Sequence, residues 1–216
     1  MHSLVHFADN AVQASLVAEK AICGEGGVGI FNPQFQKATE SSVARLVRTA
    51  SKALSRGGDE RSGIYRKTIT HLRPLLKEKY NCLSLPISNY LGNRFNMIFK
   101  NSVYLYCLRE PIKELLAITQ TNQLLKSVLS DYNKEVIKAE LKVFAMINKT
   151  ITGPFWCSLE RKDIDLVGMN AIFNKLVNHF DEAGENPLIL LEGKSPFGEE
   201  FLHRDVWWDE LFAPNR

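Results

Sequence analysis

Helical periodicity with next to no two-residue alternation is the feature that most narrows what this chain can fold into. Val43, Leu46, Val47, Ala50 and Leu54 share one face at a period of about 3.6. Leu166, Met169, Ile172, Phe173, Leu176, Val177 and Phe180 step by threes and fours throughout. Phe95, Ile98, Phe99, Val103 and Tyr106 make a third such face, and Ile137, Leu141, Phe144 and Ile147 a fourth. The best strand candidates, Cys82 to Pro86 and Leu188 to Leu191, are both short. The expectation is a mainly all-α protein: a compact array of about eight or nine helices with short irregular loops and at most one or two short strands.

Punctuation fits that pattern. Asn93, Asn122 and Asn133 each precede an apolar-periodic run and can cap it, as Asp163 or Asp165 can cap the Leu166 helix and Asp205 a last short helix. Pro111 marks a boundary between helices, because proline suits a first turn and not an interior. Gly153-Pro154 should stop the helix that ends near Thr150, and Ala183-Gly184 should close the Leu166 helix. Two irregular stretches interrupt the helices, Gly24 to Gln36 and Arg56-Gly57-Gly58-Asp59. The chain reads as a single helical domain over residues 1–216. A weak subdivision would set a basic helical segment, 1–85, beside a helical core, 86–216.

Hydrophobic residues at 45% and charged residues at 24% argue against disorder over most of the chain. No apolar run approaches the roughly 20 residues of a membrane span, and the N-terminus has no basic flank or long apolar stretch of a secretory signal. Cytosol or nucleus is therefore expected. Cys23, Cys82, Cys107 and Cys157 lie too far apart for a zinc ribbon or a redox pair and read as buried thiols.

Several partial motifs lead nowhere. The glycine-rich Cys23 to Gly29 follows a helix, whereas phosphate-wrapping loops need a strand before them. Gly193-Lys194-Ser195 resembles the end of a phosphate loop, but Leu188 stands where the first glycine is required. His2 and His6 would share a helix face, and two ligands do not hold zinc. His71, His179 and His203 have no catalytic context. Neither a metal site, a cofactor nor a small-molecule substrate is indicated.

Charge is more informative. The net charge is +3, but ten Lys/Arg face three acids between Arg45 and Lys79, whereas twelve acids face six Lys/Arg from Ser158 to Arg216. Such asymmetry points to an anionic partner, or to two ends that neutralise each other. Arg45, Arg48, Lys52 and Arg56 step by three, four and four, opposite the apolar face of their helix. The next helix adds Arg66, Lys67, Arg73 and Lys77. A row of this kind can neutralise phosphates, and equally can be a solvated face. Only Tyr65 and Tyr80 are nearby aromatics, so stacking on single strands is less favoured. Arg94, in a first helical turn, opposes the helix dipole and needs an acid or a phosphate to offset it. Trp207 and Trp208 can dock on the core or on a partner protein.

Leu91-Gly92-Asn93-Arg94-Phe95-Asn96-Met97-Ile98-Phe99, then Ile151-Thr152-Gly153-Pro154-Phe155-Trp156, then Leu190-Leu191-Glu192-Gly193-Lys194 resemble signatures of transposon-derived proteins related to hAT (hobo-Activator) superfamily transposases. Residues Met1 to His6 resemble the helix after that family's second catalytic strand. His6 matches the histidine of its Cys-x-x-His pair, and Ser3 replaces the cysteine. The resemblance spans Met1 to Phe212 loosely and Leu91 to Trp156 best. It implies correspondence to the helical insertion of the transposase, without the Asp-Asp-Glu triad of the RNase H-like sheet, and nuclear residence. The expectation is a non-catalytic helical domain that binds DNA or a nuclear protein partner, with no membrane association. Arg45, Arg48, Lys52, Arg56 and Arg94 are the expected nucleic-acid contacts, and Trp207 and Trp208 the expected partner contacts. The alternative is a helical protein-interaction scaffold with no nucleic-acid role.

Overall fold

The structure, a computed structural model, describes residues 2–24, 27–37, 39–90, 96–161 and 166–213 of the 216-residue chain. Among the described residues there is no strand, and the elements in chain order are helical. They are α1 (His2–Cys23), α2 (Ser42–Leu54), α3 (Tyr65–Glu78), α4 (Asn96–Cys107), α5 (Arg109–Thr119), α6 (Gln123–Tyr132), α7 (Glu135–Ile147), α8 (Gly153–Glu160), α9 (Leu166–Glu185), α10 (Leu188–Leu191) and α11 (Val206–Phe212). That is more than the eight or nine expected, in part because the strand candidate Leu188–Leu191 forms the single-turn α10. Both strand candidates are corrected. Cys82–Pro86 is irregular, and Leu188–Leu191 is helical, started by Pro187 and by the Leu188 N–H donating to Asn186 Oδ1 at 3.2 Å.

Helix α2 is the centre of the molecule and packs against α6, α4, α7, α1 and α3. Ser41 caps it through Ala44 N–H, and its apolar stripe Val43, Leu46, Val47, Ala50 and Leu54 is fully buried. Around it α4 and α7 form the most extensive helix pair, joined by α11. Phe99 of α4 and Phe144 of α7 meet with ring centroids 5.3 Å apart. The main core draws side chains from both sides of residue 85, from Val43, Leu46 and Leu72 to Leu125, Ile137 and Leu211.

Asn122 and Asp205 cap as expected, accepting from Leu125 N–H at 3.0 Å and Trp208 N–H at 2.9 Å. Asn133 does not: it ends α6, and Lys134 opens α7 in extended conformation. Asn93, Asp163 and Asp165 lie outside the described residues.

Gly153-Pro154 does not stop its helix. The chain passes from α7 through one π-helical turn, Asn148–Thr152, straight into α8, with the Gly153 N–H donating to the Asn148 carbonyl. Proline has no N–H for the carbonyl four residues earlier, Thr150. Ser195 Oγ donates to that oxygen instead, at 2.6 Å. The segments Ile151–Trp156 and Leu190–Lys194 meet around a second, small core of Ile151, Phe155, Leu176 and Phe197, against which Leu190 packs. A β-carbon on Gly153 would lie 2.7 Å from the Asn148 carbonyl oxygen. Gly153→Ala is accordingly expected to lower stability by about 1–3 kcal/mol, read as a lower urea midpoint with unchanged slope. An unchanged midpoint would refute the tight π turn.

The face that is cleanest in sequence, on α9, is covered only in part. Leu176 is buried and Met169 and Ile172 pack on the small core, but Phe173, Val177 and Phe180 are exposed. Among the cysteines Cys23 and Cys157 are exposed and Cys82 and Cys107 half-buried, so the expectation of buried thiols is corrected.

Candidate nucleic-acid interface

The expected basic row on α2 does not face solvent as a row. Arg45 is 2% exposed and forms a bidentate pair with Asp131 of α6, Nε to Oδ2 at 2.9 Å and Nη2 to Oδ1 at 2.8 Å. Its Nη1 donates to Gln36 Oε1. Arg48 donates to both oxygens of Glu40, at 2.7 and 2.6 Å, and to the Phe35 carbonyl. The reason is the central place of α2. Neighbours cover its polar side as well as its apolar side, so the cations there must be paired to offset their desolvation. Arg45 and Arg48 are therefore structural and are withdrawn as anion contacts. Lys52 remains half-exposed and pairs with Asp59 at 3.2 Å. Arg56 is exposed, with no ion pair to any described residue. Arg94 lies outside the described residues.

The tryptophans are corrected too. Trp207 and Trp208 are 8% and 5% exposed. Trp207 stacks on Tyr80 with centroids 3.6 Å apart and packs edge-on to Tyr104. Trp208 packs against Phe212, under Arg204. They fasten α11 to the core and are not surface anchors.

Within the basic segment from Arg45 to Lys79, the exposed cations without an ion pair to a described residue belong to α3 and the loop before it. At about 100° per residue, Arg66, Arg73 and Lys77 fall within roughly 40° of one line on α3, with Thr70 beside them. All four are exposed, whereas Thr68, Leu72 and Leu76 on the other side are buried. Among the described residues none of Arg56, Arg61, Arg66, Lys67, Arg73 and Lys77 has an ion pair. Lys79, just past the end of α3 and off that line, is taken by Glu210.

A cleft of about 900 Å³ opens at the start of α3, between the loop Ser55–Ile64 and Thr121-Asn122 ahead of α6. Arg56, Arg61, Arg66 and Lys67 line it, with Asp59 and Glu60 as the opposing acids. The loop is firmly built: Ile64 N–H donates to the Ala53 carbonyl at 2.7 Å and Asn122 Nδ2 to the Ser62 carbonyl at 3.0 Å. Asp59 accepts from Arg61 and Ser62 N–H at 2.9 and 2.8 Å. Bonding to the Ser62 N–H above all, then to Lys52, holds its carboxyl below the usual carboxylate range. Asp59 is thus an anion whose charge is locally answered. A second, shallower hollow of about 530 Å³ shares Arg66 and Lys67 and continues between α3 and α5 along Thr70, His71, Leu115 and Ile118.

Sequence reasoning named Arg66, Lys67, Arg73 and Lys77 but ranked the α2 row above them, and it missed Arg61. The signal for α3 was present: its cations recur at i, i+7 and i+11 opposite Thr68, Leu72 and Leu76, with few acids nearby.

No family model, curated protein or solved structure matches the chain.

Proposed function

We propose that this chain is a non-catalytic helical module, of the transposase-derived kind, that binds duplex nucleic acid through α3 and the loop before it. What supports this reading is the row Arg66, Arg73 and Lys77, exposed and without an ion pair among the described residues, running about 16 Å along α3 at 1.5 Å per residue and flanked by Arg56, Arg61 and Lys67. Phosphates are neutralised by such spaced cations with release of counterions. Tyr65 is half-buried at the base of the row, and no exposed aromatic stands among these cations, which favours backbone contact over base stacking. A nuclear setting follows from this reading.

Fluorescence anisotropy with a labelled duplex, across a salt series, tests it. Each phosphate contact contributes about −0.9 to the slope of log K against log salt. The triple variant Arg66→Glu, Arg73→Glu, Lys77→Glu is expected to flatten that slope by about 2 to 3 and to weaken binding at least about tenfold near 0.1 M salt. These positions are solvated, so its thermal midpoint should stay close to that of the parent. Binding that ignores the triple charge reversal would overturn the assignment to α3.

A protein-interaction role is the second reading, carried by the partly uncovered α9 face, where Val177 is 56% exposed, beside Leu188 and Leu191 at 56% and 54%. It gains ground if no duplex binds at low salt.

No helix of the described residues is long and apolar enough to cross a membrane.

A further inference from the structure

We propose that the second half of α1, residues 15–23, is a strap fastened by one proton, which Glu140 of α7 holds in a hydrogen bond to Glu19 of α1, and that the strap lifts as this proton leaves. The proposal is independent of the nucleic-acid reading.

The two halves of α1 are held by different forces. The first is anchored by apolar contact. Ala8 is buried in the main core, and Phe7, Ala11 and Val12 pack against it. The Phe7 ring lies 5.5 Å from Phe99 and 5.3 Å from Phe180 between centroids. The second half contributes no side chain to the main core, and its Val17 and Ile22 are 68% and 69% exposed. What it buries is polar: Ser15 and Glu19. Its docking therefore depends on what those two side chains meet.

They meet Glu140 and the start of α2. Both Glu19 oxygens are engaged there: Oε1 accepts from the Ser42 N–H and Oε2 from Ser42 Oγ, at 2.9 Å. That is a favourable place for a carboxylate, at a helix N-terminus. Glu140 Oε1 accepts from Ser15 Oγ at 2.6 Å, but Oε2 is buried with no donor. The Glu19 carboxylate stands within its hydrogen-bonding reach. Two carboxylates have no hydrogen to share, and two buried like charges repel. A proton on Glu140 Oε2 removes both difficulties, because it turns an unanswered acceptor into a donor to Glu19. The charged groups around the pair do not offer an alternative. Arg45 of α2 is committed to Asp131 of α6 and to Gln36, and Lys134, ahead of α7, lies 3.7 Å from the same Asp131. Burial of Glu140 and the nearby Glu19 charge act together in this direction, pushing the carboxyl up to about 8.

With the strap down, the proton is kept until about pH 8. With the strap lifted, Glu140 is a solvated glutamic acid that gives its proton to water near the ordinary value of 4.5. The lifted state therefore gains on the docked one as pH rises from about 5 to about 8, and the ratio levels off above that.

Amide hydrogen exchange of the full chain, with each rate divided by the intrinsic rate at the same pH, reads the strap. Opening of residues 16–23 is expected to rise at least about tenfold between about pH 5.5 and 8 and to be level by about pH 9. It should depend little on low concentrations of urea, as a local opening does, whereas α4 amides should follow the steep urea dependence of global unfolding. In Glu140→Gln the side-chain amide donates to Glu19 at every pH, so opening of the strap should change less than about twofold over that range. The difference between parent and variant removes any other group that titrates there. A parent whose residues 16–23 open equally at pH 5.5 and 8, or open only with the urea dependence of α4, overturns the strap. So does a pH trend that survives in Glu140→Gln.

Discussion

Arg45→Ala is expected to cost about 3–5 kcal/mol of stability, enough to leave a large part of the chain unfolded at 37 °C. The guanidinium is almost wholly enclosed, and its removal strands the Asp131 carboxylate, itself 3% exposed, inside the core. Lys134, 3.7 Å away, is the remaining cation beside it. Burial already pulls the Lys134 ammonium below the usual lysine range, so it replaces a bidentate fork poorly. The double variant Arg45→Met with Asp131→Leu removes both charges together. It is expected to recover most of the loss, because a buried pair can be exchanged for apolar side chains of similar volume at little net cost. Urea midpoints of the single and double variants check this, and equal losses in the two would show that the pair itself carries no special weight. The experiment bears on function as well. An Arg45 variant will lose any binding activity through unfolding, so only the α3 variants, which leave the core intact, report on the interface.

The contrast between α2 and α3 shows which parts of this protein are legible in one dimension. Both helices carry an apolar stripe and a cationic row about opposite to it, and both stripes are buried as their periodicity demands. Periodicity says which face goes inward first. It does not say how many neighbours a helix will acquire. Helix α3 touches the body on one side and keeps Arg66, Arg73 and Lys77 in solvent, whereas α2 is surrounded and turns Arg45 to a partner 86 residues away in sequence. The same blindness to distant partners hid the Ser195 hydroxyl that satisfies the carbonyl freed by Pro154, so Gly153-Pro154 reads locally as a stop and acts as a π turn. Caps depend on neighbours three residues away, and Asn122 and Asp205 were accordingly legible. The start of α3 was not, because a missing cap carries no positive signal in sequence.

Glu140→Gln is expected to raise stability at pH 8.5 and to remove a decline that the parent shows between about pH 5 and 8. Glu140 of α7 faces α1, accepting from Ser15 Oγ at 2.6 Å through Oε1, while its Oε2 is buried without a partner. Beside it lies Glu19, 3% exposed and bound to the N–H and hydroxyl of Ser42, and Arg45 reaches the same pocket from α2. Burial first, and then the Glu19 charge, push the Glu140 carboxyl up to about 8, against the partial relief given by Ser15 and Arg45. Below about pH 4.5 both folded and unfolded chains hold this proton, and Glu140 exacts no penalty. As pH rises, the unfolded carboxyl ionises freely while the folded one keeps its proton, so the unfolded state gains until the folded group titrates near 8. Because the site is partly solvated, the accumulated loss is about 1–3 kcal/mol, well below the full linkage value. His179 works in the opposite direction: burial lowers its imidazole, so its contribution is lost as pH falls through about 6.5. The parent profile therefore mixes two slopes, and the difference between parent and Glu140→Gln at each pH isolates the carboxyl. Glutamine keeps an acceptor for Ser15 and can donate to Glu19 without charge. Urea midpoints at pH 5.5, 7 and 8.5 should show the variant's advantage widening with pH. An advantage that is absent at pH 8.5, or constant across the series, would mean that Glu140 is ionised at neutral pH and that α1 docks on a charged carboxylate.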